Sequence, residues 1–292
     1  MSIELPKGPL VSTEWLAQHI DDPRVRVIDI RGVILPPTAP KPHYLASYDK
    51  YLEGHIPGAV FVDWTKDIID PVRPELKQVA PPDQYAALMS KLGIGDDTIV
   101  IAYDDSFMIQ AGRMLWTLRY YGHDQARVLD GGFKKWVGEG RPLQSEVPSY
   151  ASTVFTPRPQ PKLRRTADEV ATRDSACLLF DARSAAEYRG EQSRVKRGGH
   201  IPGARNLFYR EFLEGPYDTF AAPEVIRQRL EAKGFKIDEL AKREVVSYCN
   251  GGVSATVTAM ALEVAGLPPV AIYDGSWNEW GDDESRPIET GD

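Results

Sequence analysis

Cysteine is nearly absent from this chain of 292 residues, which holds only Cys177 and Cys249. Two thiols are too few for a disulfide framework and lack the close pairing of a zinc site, so each is judged alone. Long apolar runs are missing as well, since nothing approaches the ~18 residues of a membrane span. The N-terminal Met1-Ser2-Ile3-Glu4-Leu5-Pro6 has no basic stretch leading into an apolar one, and a cytoplasmic protein is expected. Positive charge is outnumbered, 35 Lys and Arg against 42 Asp and Glu, for a formal net charge of −7 and a pI near 5.4. That argues against a broad nucleic-acid surface or an anionic-membrane partner, and leaves room for a local basic pocket taking a small anion.

What is present is an average globular composition, 42% hydrophobic and 26% charged. The length exceeds the roughly 100–200 residues of one domain, so two are expected. Internal repetition supports this. Gly54-His55-Ile56-Pro57-Gly58-Ala59 recurs 145 residues later as Gly199-His200-Ile201-Pro202-Gly203-Ala204. Asp130-Gly131-Gly132-Phe133 with Trp136 is answered 144 residues on by Asp274-Gly275-Ser276-Trp277 with Trp280. Val27-Ile28-Asp29-Ile30-Arg31 and Leu179-Phe180-Asp181-Ala182-Arg183 form a looser pair. The chain therefore divides into residues 1–145, a proline-rich extended linker over 146–165, and residues 166–292.

Apolar runs predict strands at 25–30, 98–103, 177–181, 245–248 and 270–273. Helical spacing marks 82–92, 110–121, 223–233 and 254–265. This alternation predicts an α/β fold, a parallel sheet flanked by helices in each half, with ligands bound where strands give way to helices.

Cys249 falls at such a junction, in Tyr248-Cys249-Asn250-Gly251-Gly252-Val253-Ser254-Ala255. Gly251 and Gly252 permit positive φ, and Ser254 is placed to cap the following helix. A tight loop of this kind turns successive amides inward at a helix N-terminus, where an anion is stabilised without a charged side chain. The anion would be the Cys249 thiolate, the form a nucleophile requires. A phosphate-transfer loop would need an arginine six positions after the cysteine, and that position is Ala255, so a smaller guest such as one extra sulfur atom is expected. Cys177 has no such neighbours and reads as structural.

Together, the paired His-Ile-Pro-Gly-Ala segments, Asp181 to Arg183, Asp274 to Trp277 and the cysteine loop resemble the tandem-domain rhodanese family of thiosulfate and 3-mercaptopyruvate sulfurtransferases. The resemblance implies two tandem rhodanese-like domains, the first inactive with Asp104 where the cysteine would be, and the second catalytic. It implies a persulfide on Cys249, held by Asn250, Gly251, Gly252, Val253, Ser254 and Ala255 with Arg183 on the donor, and no cofactor or metal. The partners implied are thiosulfate or mercaptopyruvate as donor, and cyanide, a thiol or a protein cysteine as acceptor. The neutral loop Cys249 to Ser254 resembles that of mercaptopyruvate enzymes and favours that donor. Two departures from the family pattern also bear on the donor. Against mercaptopyruvate, no histidine stands between His55 and His123 to relay through Ser254, which favours thiosulfate, and Glu187 occupies a place where an anion-binding arginine is common. Arg183, Arg194, Lys196 and Arg197 are the candidate replacements. A persulfide carrier without a small-molecule donor is the alternative outside enzymes.

Overall fold

The computed structural model describes residues 3–291. Two five-stranded, wholly parallel sheets carry the chain. The first consists of β1 (Leu10–Val11), β2 (Val25–Asp29), β3 (Val60–Phe61), β4 (Ile99–Tyr103) and β5 (Ala126–Leu129), in the order β1-β5-β4-β2-β3. The second consists of β6 (Arg164–Arg165), β7 (Leu178–Asp181), β8 (Arg205–Asn206), β9 (Val245–Tyr248) and β10 (Ala271–Tyr273), in the order β8-β7-β9-β10-β6. Read from the other edge, this is the first order again, so the two halves share one topology. β2, β4 and β9 are buried along their whole length, as expected for strands covered by helices on both faces. The two-residue strands at the sheet margins are too short for any periodicity to reveal.

The longest helices, α1 (Pro82–Lys91), α2 (Ile109–Tyr120), α3 (Pro223–Ala232) and α4 (Ala255–Val264), lie where the spacing placed them. Among the described residues no helix is long and apolar enough to cross a membrane. The stretch between the sheets runs extended over the first domain. Phe155 is buried there, the Arg26 guanidinium lies 3.2 Å from the Tyr150 ring centre, and Arg158 and Gln160 donate backbone bonds to Tyr121 and Tyr120.

The domains meet through α2 and α4. At Gly112 a Cβ would lie 2.6 Å from Thr256 Oγ1 and 2.8 Å from Met260 Cε, so the absent side chain is what lets these helices approach. Arg119 and Glu263 bridge them at 2.6 Å. Residues of both domains, Ile28 and Trp116 on one side and Phe180 and Met260 on the other, belong to a single buried apolar cluster. Polar contacts are reciprocal. The Val79 amide donates to Asp274 Oδ2 at 3.0 Å, and the Phe220 amide donates to Asp130 Oδ1 at 3.0 Å. Each donor lies three residues before its domain's helix, α1 or α3.

Candidate active site

Both halves build the same frame beneath the carboxyl ends of their central strands. Arg31 is paired with Asp29 and donates to the Gly54 carbonyl at 2.7 Å, while Arg183 is paired with Asp181 and donates to Gly199 at 2.7 Å. The Ile56 amide donates to Tyr103 Oη at 3.1 Å, and Ile201 to Tyr248 Oη at 3.2 Å. His55 Nδ1 is 2.8 Å from the Tyr51 carbonyl and His200 Nδ1 is 2.9 Å from that of Tyr188, each ring stacked on its tyrosine. These repeated histidines and Asp-Arg pairs hold turns and strand ends in a domain with a cysteine and in one without. They belong to the frame.

On this frame the two junction loops diverge in content. After β4, Phe107 and Met108 adopt the left-handed conformation, φ 62° and 57°, sparsely populated for such residues. The turn aims the amides of Ser106, Met108 and Ala111 at the Asp104 carboxylate, at 2.8, 3.0 and 2.9 Å. Burial pushes the Asp104 carboxyl up to about 6, although those amides act in the opposite direction. The first-domain loop is thus an anion cradle filled by its own side chain.

After β9, the position matching Phe107 is Gly252, with φ 67°. A Cβ there would come within 2.7 Å of the Asp274 carbonyl. Gly251 does not use positive φ; it is small because the Lys77 side chain of the first domain packs on it, 3.1 Å from where a Cβ would be. The expected cap at Ser254 is also absent. Its backbone already lies in the right-handed helical region and its hydroxyl caps nothing, which leaves Ser254 on the wall of the cleft. Among the described residues the amides of Asn250, Gly251, Gly252, Val253 and Ser254 have no acceptor, the arrangement that Asp104 fills in the other domain. Cys249, 2% exposed, opens this loop; its own amide donates to Ser276 Oγ at 3.2 Å and its carbonyl accepts from Trp277 at 3.0 Å.

The loop faces a cleft of about 190 Å³ shared by both domains. Ile34, Tyr44, Ser106, Phe107 and Ile109 come from the first, and Arg183, Ser184, Glu187, Arg194, Tyr209 and Arg210 are among those from the second. Just past Asp104, Ile109 lines the cleft, whereas Gln110 donates to the Gly32 carbonyl. Arg183 lines the cleft with most of its guanidinium committed to Asp181 and Gly199; only Nη1 is buried without a partner. Glu187 accepts from Asn250 Nδ2 at 2.9 Å and from Ser184 Oγ at 3.1 Å, with Arg194 Nε at 3.7 Å. Arg194 donates to the Leu35 carbonyl at 2.7 Å, so the first-domain segment Leu35-Pro36-Pro37 holds it. Arg197 is bound to the carbonyls of Gly281, Trp280 and Arg286, and Lys196 lies outside this cleft with Glu284 at 3.9 Å. Arg210, which no motif announced, stacks 3.7 Å from the Phe107 ring centre. Burial pushes the Tyr44 phenol up to about 12.

Arg113 of α2 ties the loop to its surroundings. This first-domain side chain is buried, pairs with Asp274 at 2.7 Å, and donates to the carbonyls of Lys77 at 2.7 Å and Gly252 at 3.2 Å. The cysteine-free domain therefore holds the far side of the cysteine loop. Among the described residues no group of three or more His, Cys, Asp or Glu is arranged to hold a metal.

Twin parallel domains, with one loop filled by a carboxylate and its counterpart open beside a cysteine, define a tandem sulfurtransferase architecture. The chain belongs to the rhodanese family: the model of the rhodanese-like domain matches residues 12–139 and 166–283. Among its relatives, the sulfur carrier protein TtuD of Thermus thermophilus is 36% identical, covering 97% of each chain. The 3-mercaptopyruvate sulfurtransferase of Escherichia coli is 31% identical over 96% of this chain and 97% of its own. The thiosulfate sulfurtransferase of Bos taurus is 33% identical over 93% and 91%. The crystal structure of the 3-mercaptopyruvate sulfotransferase SseA from Escherichia coli superposes with a TM-score of 0.78 at 29% identity, covering 93% of this chain and 99% of that one.

Proposed function

We propose that this sulfurtransferase takes its sulfur from thiosulfate and passes it to cyanide or a thiol through a persulfide on Cys249. The observation that carries this reading is the open set of amides at Asn250 to Ser254, whose first-domain twin already binds an anion. The Cys249 thiolate attacks the outer sulfur of thiosulfate, the S–S bond breaks with its electron pair, and sulfite leaves. The terminal sulfur of the persulfide carries the remaining negative charge into the amide cradle. Arg194 and Arg210 hold the sulfonate end, and Arg183 offers the two N–H of its unpartnered Nη1. No histidine lines the cleft, so Ser254 has no relay partner there; this supports thiosulfate over mercaptopyruvate.

Incubation with thiosulfate should add one sulfur atom to the intact mass, and cyanide should remove it. Cys249→Ala should gain nothing; an undiminished gain in that variant ends the proposal. Loading from mercaptopyruvate with a higher kcat/KM than from thiosulfate would reassign the donor, and loading only from a protein persulfide would make the chain a carrier.

A further inference from the structure

Beside the cysteine cleft lies a second and larger cavity, about 780 Å³, that the transfer chemistry does not use. Tyr44 and Arg194 form the wall common to both. Asn278, whose amide donates to the Asn250 carbonyl at 2.7 Å, and Lys77, packed on Gly251, connect the cavity to the back of the cysteine loop. Its charge is opposite to that of the molecule. Lys41, Arg73, Lys77, Arg194 and Lys196 line it against Glu75 and Asp282, in a chain of net charge −7.

Lys77 is the most informative of these. It is 9% exposed, yet among the described residues no carboxylate lies within 4 Å of its ammonium, which stands over the Tyr44 ring, 5.4 Å from Nζ to the ring centre. The stem is buried while the ammonium has no hydrogen-bonded carboxylate, so it is placed to receive an anion from the cavity. Lys41 likewise has no ion-pair partner among the described residues, while Arg73 and Lys196 have only loose, exposed ones, Glu75 at 3.4 Å and Glu284 at 3.9 Å. Burial lowers the Lys77 pKa, with the charges of Asp63 and Glu75 acting in the opposite direction.

We infer that this groove docks an acidic peptide segment of a protein acceptor and leads its cysteine past Arg194 to the persulfide on Cys249. The inference rests on the persulfide reading above. The groove falls within the roughly 300–1,000 Å³ of specific ligand sites, whereas the cysteine cleft is below that range and suits a small anion. Net positive lining makes carboxylates the matching chemistry. In the step itself the acceptor thiolate attacks the terminal sulfur of the Cys249 persulfide, the bond to Sγ breaks, Cys249 leaves as thiolate, and the acceptor carries the persulfide.

Binding is read first and without turnover, by fluorescence anisotropy of labelled hexaglutamate at low salt. Lys41→Glu/Lys196→Glu, both exposed and away from the cysteine, should weaken binding by about tenfold or more and leave thiosulfate-to-cyanide turnover unchanged. Lys77→Gln should weaken binding too. In a second arm, Glu-Glu-Gly-Glu-Cys should accept sulfur with a higher kcat/KM than Gln-Gln-Gly-Gln-Cys, and the charge-reversed variant should abolish the difference. Equal binding of hexalysine, unchanged affinity in both variants, or displacement of hexaglutamate by a ten-residue oligothymidylate at lower concentration than by unlabelled peptide would overturn the inference. Failure to load Cys249 from thiosulfate would overturn the donor assignment alone, because the anisotropy measurement does not depend on it.

Discussion

At Gly252 a side chain would meet backbone, since its Cβ would press on the Asp274 carbonyl while φ stays at 67°. Gly252→Ala should therefore lower stability by about 1–3 kcal/mol and slow sulfur loading, measured by the urea midpoint and by mass gain against time. Gly251→Ala meets side chains rather than backbone, the Lys77 stem and Asn278 Nδ2, at 3.1 Å or more and without a positive φ, and should cost less in both measurements. The cleft arginines give a different signature. A charge-assisted hydrogen bond is worth about 1.5–3 kcal/mol, so Arg194→Met and Arg210→Met should each reduce kcat/KM for thiosulfate by roughly tenfold to a hundredfold. Unchanged kinetics in both would remove them from donor binding. Cys249 stood out in the sequence because a diglycine follows it at a strand-to-helix junction. Tyr44 gave no such sign, because its relation to the cysteine exists only across the domain boundary, and Arg210 gave none because no repeated segment carries it and only the folding of its own domain brings it to the cleft.

At the level of the loop and its helix, a turn needs its pattern of amides more than it needs any one residue type. Phe107 occupies the conformation that Gly252 occupies in the twin loop, and the Asp104 carboxylate holds the strained turn in place. Its carboxyl, raised from 3.8 to about 6 by burial, binds a proton more tightly in the folded chain than in the unfolded one. The stability it contributes is therefore greatest at acid pH and declines as pH rises through about 4 to 6. Compared with Asp104→Asn, the native protein should lose about 1–3 kcal/mol of its advantage between pH 4 and pH 7, followed by urea unfolding at each pH. An advantage that grows over that window would contradict the assignment. The central strands were legible as short unbroken apolar runs and the long helices by their length and spacing. The edge strands were not, at two residues each, and the absence of a Ser254 cap could not be read because capping depends on the backbone angle, which a sequence does not state.

For the whole molecule, the shared apolar cluster and the buried Arg113 bind the two domains into one unit of stability. Calorimetry should show a single cooperative transition, and two resolved peaks would count against it. Residues 166–292 expressed alone lack Arg113 and expose the inner face of α4, so they should bind a hydrophobic dye and fail to take sulfur from thiosulfate. The tandem plan was legible from the repeated Gly-His-Ile-Pro-Gly-Ala segments, whereas the way the halves face each other left no trace in either copy alone. The reciprocal bonds, Val79 to Asp274 and Phe220 to Asp130, give that arrangement a meaning of its own. Equivalent groups exchanging places across a boundary are the mark of a two-fold contact between identical subunits. This chain carries such a contact within a single polypeptide. A homodimer would have to change both of its sites together, but covalent fusion frees each half to drift, so one copy of the loop could close around a carboxylate while the other stayed open.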